Sequence, residues 1–263
     1  MSTQPPLPPA LELEVAGLRV EVAQRCLVRD LAFTAVPGQF IAILGENGVG
    51  KTLTLHTLAG LRRPAAGGVR LGGRGLEDWP KRELARARGL LAQSSEDPFP
   101  STVLETALIG RHPHLEFWQW ESAGDAALAR AALQEVDLAQ REDRALDTLS
   151  GGERRRLAIA TILTQDPQLF LLDEATNHLD PHHQVEVLKR FRARADARRT
   201  VIASLHDATL AARFADQALL LYGDGSWTFG PVAQVIDAVH LSRLYHTPVH
   251  QLDFRGRRVF VSD

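Results

Sequence analysis

Cysteine and methionine are nearly missing: each occurs once in 263 residues, as Cys26 and Met1. A single thiol permits no internal disulfide, which excludes the disulfide-stapled secreted class and suits a reducing compartment. Cys26 is expected to be a small buried residue. No apolar run approaches the roughly 20 residues needed to cross a bilayer, so no spanning helix is expected. Neither sign of charge dominates, since 30 Lys and Arg face 32 Asp and Glu, a formal net charge of −2. That balance gives no general pull toward nucleic acid or anionic lipid. Met1 to Pro9 is proline-rich and lacks the basic start and apolar middle of a signal peptide. Residues 1–10 are predicted to be a flexible tail, and 11–263 a single domain large enough to carry an insertion. These features point to a soluble cytoplasmic protein.

What is present is concentrated in motifs. Gly45-Glu46-Asn47-Gly48-Val49-Gly50-Lys51-Thr52 spells G-x-x-x-x-G-K-T directly after the apolar run Phe40–Leu44. This is a P-loop in its required context of buried strand, glycine turn and opening helix. The glycines let the backbone approach an anion. The turn points N–H groups inward, and the following helix adds its positive end. Lys51 brings a full charge to the outer phosphates, and the Thr52 hydroxyl suits Mg²⁺. The motif predicts a nucleoside triphosphate as ligand.

A second αβ stretch follows further along. The run Leu169-Phe170-Leu171-Leu172 closes on Asp173 and Glu174, which places two carboxylates at the carboxyl end of a buried strand, where ligands sit in parallel sheets. Asp173 suits Mg²⁺, and Glu174 can face an attacking water. Leu149-Ser150-Gly151-Gly152-Glu153 precedes a long helix. Ser150 can cap it, and the glycines expose N–H groups at its positive end, which makes a second anion site or an ordinary helix start. Elsewhere the pattern predicts short strands at Leu11–Val15, Leu31–Ala35, Val69–Leu71, Gly89–Ala92 and Thr200–Ser204. Helices are predicted after Thr52, through 102–136, and from Ser150, Pro181 and Asp207. The segment after Ala218 reads as short strands and two small helices. Strands alternating with helices predict a parallel sheet covered on both faces, and the helices in the middle predict an insertion at about 94–165.

With these motifs in hand, the chain from about Leu11 onward resembles the nucleotide-binding subunit of ATP-binding cassette (ABC) transporters. Gly45–Thr52 matches the Walker A loop and Gln93 the Q-loop glutamine. Leu149–Glu153 matches the signature, Leu169–Glu174 Walker B, Asn177–Asp180 the D-loop, and His206 the switch histidine. The resemblance implies an α/β P-loop NTPase core, a mainly parallel sheet flanked by helices, with an antiparallel β subdomain and an inserted α-helical subdomain. It implies ATP and Mg²⁺ as ligands and a head-to-tail homodimer, each ATP lying between one P-loop and the other chain's signature. It also implies roles. Lys51 and the loop amides hold phosphates; Thr52 and Gln93 meet Mg²⁺, with Asp173 behind. Glu174 is the base or water-orienting group and His206 contacts the γ-phosphate. Asp180 links the two sites, Ser150 and Gly152 contact the partner's γ-phosphate, and Gly151 and Glu153 complete the nucleotide-binding signature.

Three positions depart from the family pattern. Val22 stands where many members stack an aromatic on adenine, Ala175 where a proline usually follows the glutamate, and Glu153 where glutamine is common. Finer resemblances point to the importer branch for iron complexes (siderophores, haem) and vitamin B12. They are Gly110-Arg111-His112-Pro113-His114, the run Asn177–Asp180 with His182-His183-Gln184, and the closing Leu244–Val249 with Gly256–Val261. The branch implies separate transmembrane permease subunits contacting the helical insertion, a periplasmic or surface substrate-binding protein, and a place at the cytoplasmic face of the membrane.

Plainer readings stand beside these. His178, His182 and His183 are expected in structural or solvated roles rather than as metal ligands, and His112 and His114 fit a turn. Phe117, Trp118 and Trp120 read as subdomain core, with a docking patch as the alternative, and Arg154-Arg155-Arg156 as a solvated face with ATP-proximal charge. A soluble ABC ATPase acting on nucleic acid or ribosomes is disfavoured by the single cassette and the absence of a basic stripe. A nucleotide sensor is disfavoured by the presence of Glu174 and His206. Another transporter branch is the remaining alternative.

Overall fold

The computed structural model describes residues 11–93 and 100–263. The predicted tail at 1–10 and the opening of the predicted insertion, 94–99, lie outside them. Among the described residues the strands are β1 (Leu13–Val22), β2 (Arg25–Ala35), β3 (Phe40–Leu44), β4 (Ala66–Leu71), β5 (Arg74–Gly75), β6 (Arg88–Leu91), β7 (Leu169–Leu172), β8 (Thr200–Ser204), β9 (Gln217–Leu221), β10 (Trp227–Pro231), β11 (Val249–Phe254) and β12 (Arg257–Ser262). The α-helices are α1 (Lys51–Leu58), α2 (Lys81–Ala87), α3 (Val103–Leu108), α4 (Ala123–Glu135), α5 (Gly151–Gln165), α6 (Pro181–Asp196), α7 (Ala208–Phe214), α8 (Val232–Val235) and α9 (Ala238–Tyr245).

The central sheet runs β10-β9-β3-β8-β7-β6 and is parallel except for β10 at its edge. A second, antiparallel sheet runs β2-β1-β4-β5, and β11 and β12 form a hairpin against α7. The unbroken apolar runs of β3 and β7 follow from burial on both faces. Alternate residues enter two cores. Phe40, Ala42, Leu44, Phe170 and Leu172 face the layer containing α5, α6 and α7. Ile41, Ile43, Leu169 and Leu171 face α1 and the antiparallel sheet. Phe170 meets Phe191 of α6 edge-on, with ring centroids 5.7 Å apart; burying one such ring contributes about 1.5–3 kcal/mol. This three-layer sandwich fixes the carboxyl ends of β3, β7 and β8 side by side.

Helices α3, α4 and α5 pack on one another. Each opens with a reciprocal capping box, Thr102 with Glu105, Ser122 with Asp125, and Ser150 with Glu153, so each start satisfies donors that would otherwise be orphaned. The Gly-Arg-x-Pro-His segment forms a short 3₁₀ stretch, Ile109–His114, laid against α5. A Cβ on Gly110 would sit 2.2 Å from the Thr161 carbonyl, so only glycine permits this approach. Arg111 then donates to Asp125 at 2.8 Å and to the Thr164 carbonyl at 3.2 Å. His114 Nε2 lies 2.9 Å from the Gln165 carbonyl oxygen. The motif is accounted for by packing.

Four expectations are corrected. β1 and β2 are longer than the two short strands predicted, because their pairing shifts register between Val15 and Leu18, again before Val20, and again before Glu21, which breaks the alternation. Cys26 is half-buried rather than buried. Phe117, Trp118 and Trp120 are not core: they are 82%, 88% and 85% exposed. Arg155 is not on a solvated face but is only 7% exposed.

Candidate nucleotide site

The P-loop leaves β3 and enters α1 through backbone that L side chains rarely adopt. Gly45 has φ 158°, and a Cβ there would lie 2.7 Å from the Leu221 carbonyl oxygen. The loop is therefore seated directly on β9. Lys51 is buried, with Nζ donating to the carbonyls of Gly45 at 2.8 Å and Glu46 at 3.0 Å. Burial pushes its pKa down, and the charges of Glu174 and Asp173 push it back up. Glu46, Asn47 and Gly48 are exposed, Thr52 is half-buried, and Val49 and Gly50 are buried beneath.

Opposite the lysine, β7 delivers its two acids. The Ser204 hydroxyl at the end of β8 donates to Asp173 Oδ1 at 2.8 Å and accepts the Glu174 backbone N–H at 2.8 Å. Asp173 Oδ2 is buried without a hydrogen-bond partner. A buried anionic oxygen left open in this way fits a hard cation, alone or through water. Glu174 turns at φ 51°. Its carboxylate is held by three segments: Gln93 Nε2 at 2.8 Å and Asn177 Nδ2 on Oε2, and His206 Nε2 at 2.8 Å on Oε1. The structure thus gathers Lys51, Gln93, Asp173, Glu174 and His206 into one site, with Gln93 and His206 both on Glu174.

Sequence reading missed two members of this site. Asn177 was visible only as part of the D-loop, and the hydroxyl of Ser204 sits at the end of an otherwise apolar strand. All five residues of β8 are buried, which makes Ser204 a buried hydroxyl, but nothing in the sequence names its partners.

The signature forms the N-terminus of α5. Ser150 and Gly151 are exposed, and Gly152 and Glu153 are half-buried. The Ser150 hydroxyl accepts the Glu153 N–H at 3.3 Å, and Glu153 Oε2 accepts the Ser150 N–H at 2.8 Å. Glu153 also pairs with Arg141, and with Arg144 at 3.6 Å. A glutamine could close the capping box but not neutralise those arginines, which explains glutamate here. Asp180 caps α6, accepting the His183 N–H at 3.0 Å, with His183 Nδ1 2.7 Å from its other oxygen. These bonds hold its carboxyl below the usual aspartate range. Ala175 is fully buried, and Val22 is 42% exposed at the end of β1.

The profile of the ABC transporter family matches residues 28–177. A hemin import ATP-binding protein HmuV of Gloeobacter violaceus is 40% identical over 216 residues, covering 80% of this chain and 78% of that one. The chain belongs to the ABC transporter family. A second HmuV, from Streptomyces coelicolor, is 39% identical over 251 residues, covering 93% of this chain and 88% of that protein. Among solved structures, an inward-facing metal-chelate type ABC transporter superposes with TM-score 0.83 at 27% identity, over 96% of this chain and 98% of that one. This ABC subunit binds ATP and is an ATPase. Among the described residues no helix is long and apolar enough to cross a membrane.

Proposed function

We propose that the subunit hydrolyses ATP between two copies arranged head to tail and thereby drives uptake of an iron complex of the haem class. The carrying observation is Glu174, a carboxylate at the carboxyl end of β7 gripped by donors from three segments, beside the P-loop lysine. Lys51 and the amides of Gly45–Thr52 receive the β- and γ-phosphates. The exposed signature end of α5, Ser150 to Gly152, meets the γ-phosphate bound to the other copy, with Glu153 setting that helix end and Asp180 bridging the two sites. Thr52, Gln93 and Asp173 would hold Mg²⁺, which supplies charge neutralisation at the phosphates. Gln93 and His206 exchange their bonds to Glu174 for bonds at the nucleotide, which frees that carboxylate to orient water. Phosphoryl transfer needs positioning more than covalent chemistry, so a site completed by closure suits it.

The permease docks on the helical insertion, 94–165 of the 11–263 domain, with Phe117, Trp118 and Trp120 in the contact. Exposed aromatics of this kind mark interaction sites. On this reading the subunit sits at the cytoplasmic membrane face, fed by a substrate-binding protein on the other side. The haem class is favoured by the names of the relatives. Replacing Glu174 with Gln should slow turnover about 100-fold or more while ATP still assembles a persistent dimer; unchanged hydrolysis would remove Glu174 from its role. Reconstitution with permease subunits should give ATP-driven hemin uptake into vesicles. Uptake of cobalamin or a siderophore instead would replace the cargo.

A further inference from the structure

Arg155 lies on the second turn of α5, one residue past the start of a run that looks like surface. Its guanidinium is instead buried and donates to backbone carbonyls of two separate segments. Nη1 reaches the Ala92 carbonyl at 2.6 Å and the Gln93 carbonyl at 3.4 Å, at the end of β6. Nη2 reaches the Asp173 carbonyl, and Nε reaches that of Ala175 at 3.4 Å, on either side of Glu174. On the turn before it, the Cα of Gly152 faces the His178 carbonyl, so closely that a Cβ would lie 3.4 Å away. One side chain thus ties the signature helix to the segment carrying Gln93 and to the segment carrying Asp173 and Glu174. A planar fork with five donors can span both segments, and a lysine cannot.

We propose that Arg155 is the positioning residue that couples the two ATP sites of the dimer. The proposal rests on the head-to-tail reading above. There, Gln93, Asp173 and Glu174 serve the ATP on their own P-loop, while the signature of the same chain serves the ATP on the other copy. Arg155 joins these two sets within one chain, so a shift of Gln93 or Glu174 on meeting nucleotide is passed to the signature helix as a shift of α5. Its carbonyl partners are backbone, so the link moves whole segments rather than single side chains. Loss of the fork leaves each half-site intact and separates them in function.

The test compares the full-length wild type with Arg155→Gln and Arg155→Lys, measuring ATP affinity, turnover against ATP concentration, and thermal unfolding. In the folded variants ATP affinity of the single chain should stay within about twofold. Turnover should fall about tenfold or more, and the Hill coefficient for ATP should drop from above one in the wild type to about one. Arg155→Lys should not restore cooperativity, since charge without the fork spans one segment. Retained turnover and cooperativity in either folded variant would overturn the proposal. A loss of ATP affinity in step with turnover would also overturn it, as would failure of both variants to fold, because either assigns Arg155 to the scaffold alone. A wild type that shows no cooperativity and no dependence on dilution would instead refute the dimer reading.

Discussion

Ser204 has no charge and no place in a named motif, yet both acids of the site hang on its hydroxyl. It is fully buried, and its one oxygen serves the Asp173 carboxylate and the Glu174 amide together. Ser204→Ala leaves a buried N–H and a buried carboxylate oxygen without their partner, at a cost of about 1–3 kcal/mol for an unsatisfied group. Small displacements of a reacting group cost up to about 100-fold in rate. Turnover should therefore fall between roughly tenfold and 100-fold, with ATP affinity nearly kept; a variant with wild-type kcat would show that the hydroxyl does not position the acids. The charged and glycine-rich members of the site were legible in the sequence because phosphate chemistry demands those residue types at fixed local spacing. Ser204, Asn177 and Arg155 were not, because their partners lie on other segments and only folding brings them together. Arg155 was misread for a physical reason: arginine is rarely buried unless its donors are met, and here backbone carbonyls meet them.

At the scale of elements, the sandwich was readable from apolar runs and glycine turns, and the helix starts from their capping residues. The bulged pairing of β1 with β2 was not, since a register shift erases the two-residue period that marks a strand. Helix α9 shows what the closing Leu244–Val249 pattern does. Its Tyr245 hydroxyl donates to the His206 carbonyl at 3.3 Å, next to the segment that holds Glu174. Burial first, then the charges of Asp207 and Glu46, push the Tyr245 pKa up to about 12. A group raised in the folded state stabilises it fully below its ordinary pKa of about 10 and loses that contribution as pH climbs through the folded value. The wild type should lose on the order of 2 kcal/mol relative to Tyr245→Phe between about pH 10 and 12. Denaturant unfolding across that range checks this, and parallel stability curves for the two proteins would refute it.

On the head-to-tail arrangement proposed above, the whole molecule carries two half-sites: a P-loop backed by acids, and the exposed cap of α5. Turnover per chain should therefore fall on dilution, as expected when activity requires association. Specific activity that stays constant over about a 1,000-fold dilution, in the presence of ATP, would refute the paired arrangement. The three rings of Phe117, Trp118 and Trp120, 82% to 88% open to water, carry a different consequence. Until they are covered, they give every unassembled copy an adhesive spot that other copies and chaperones can find. On the docking proposed above, production of this ATPase would have to keep step with that of its membrane partner, because a surplus would leave the same surface open to other copies.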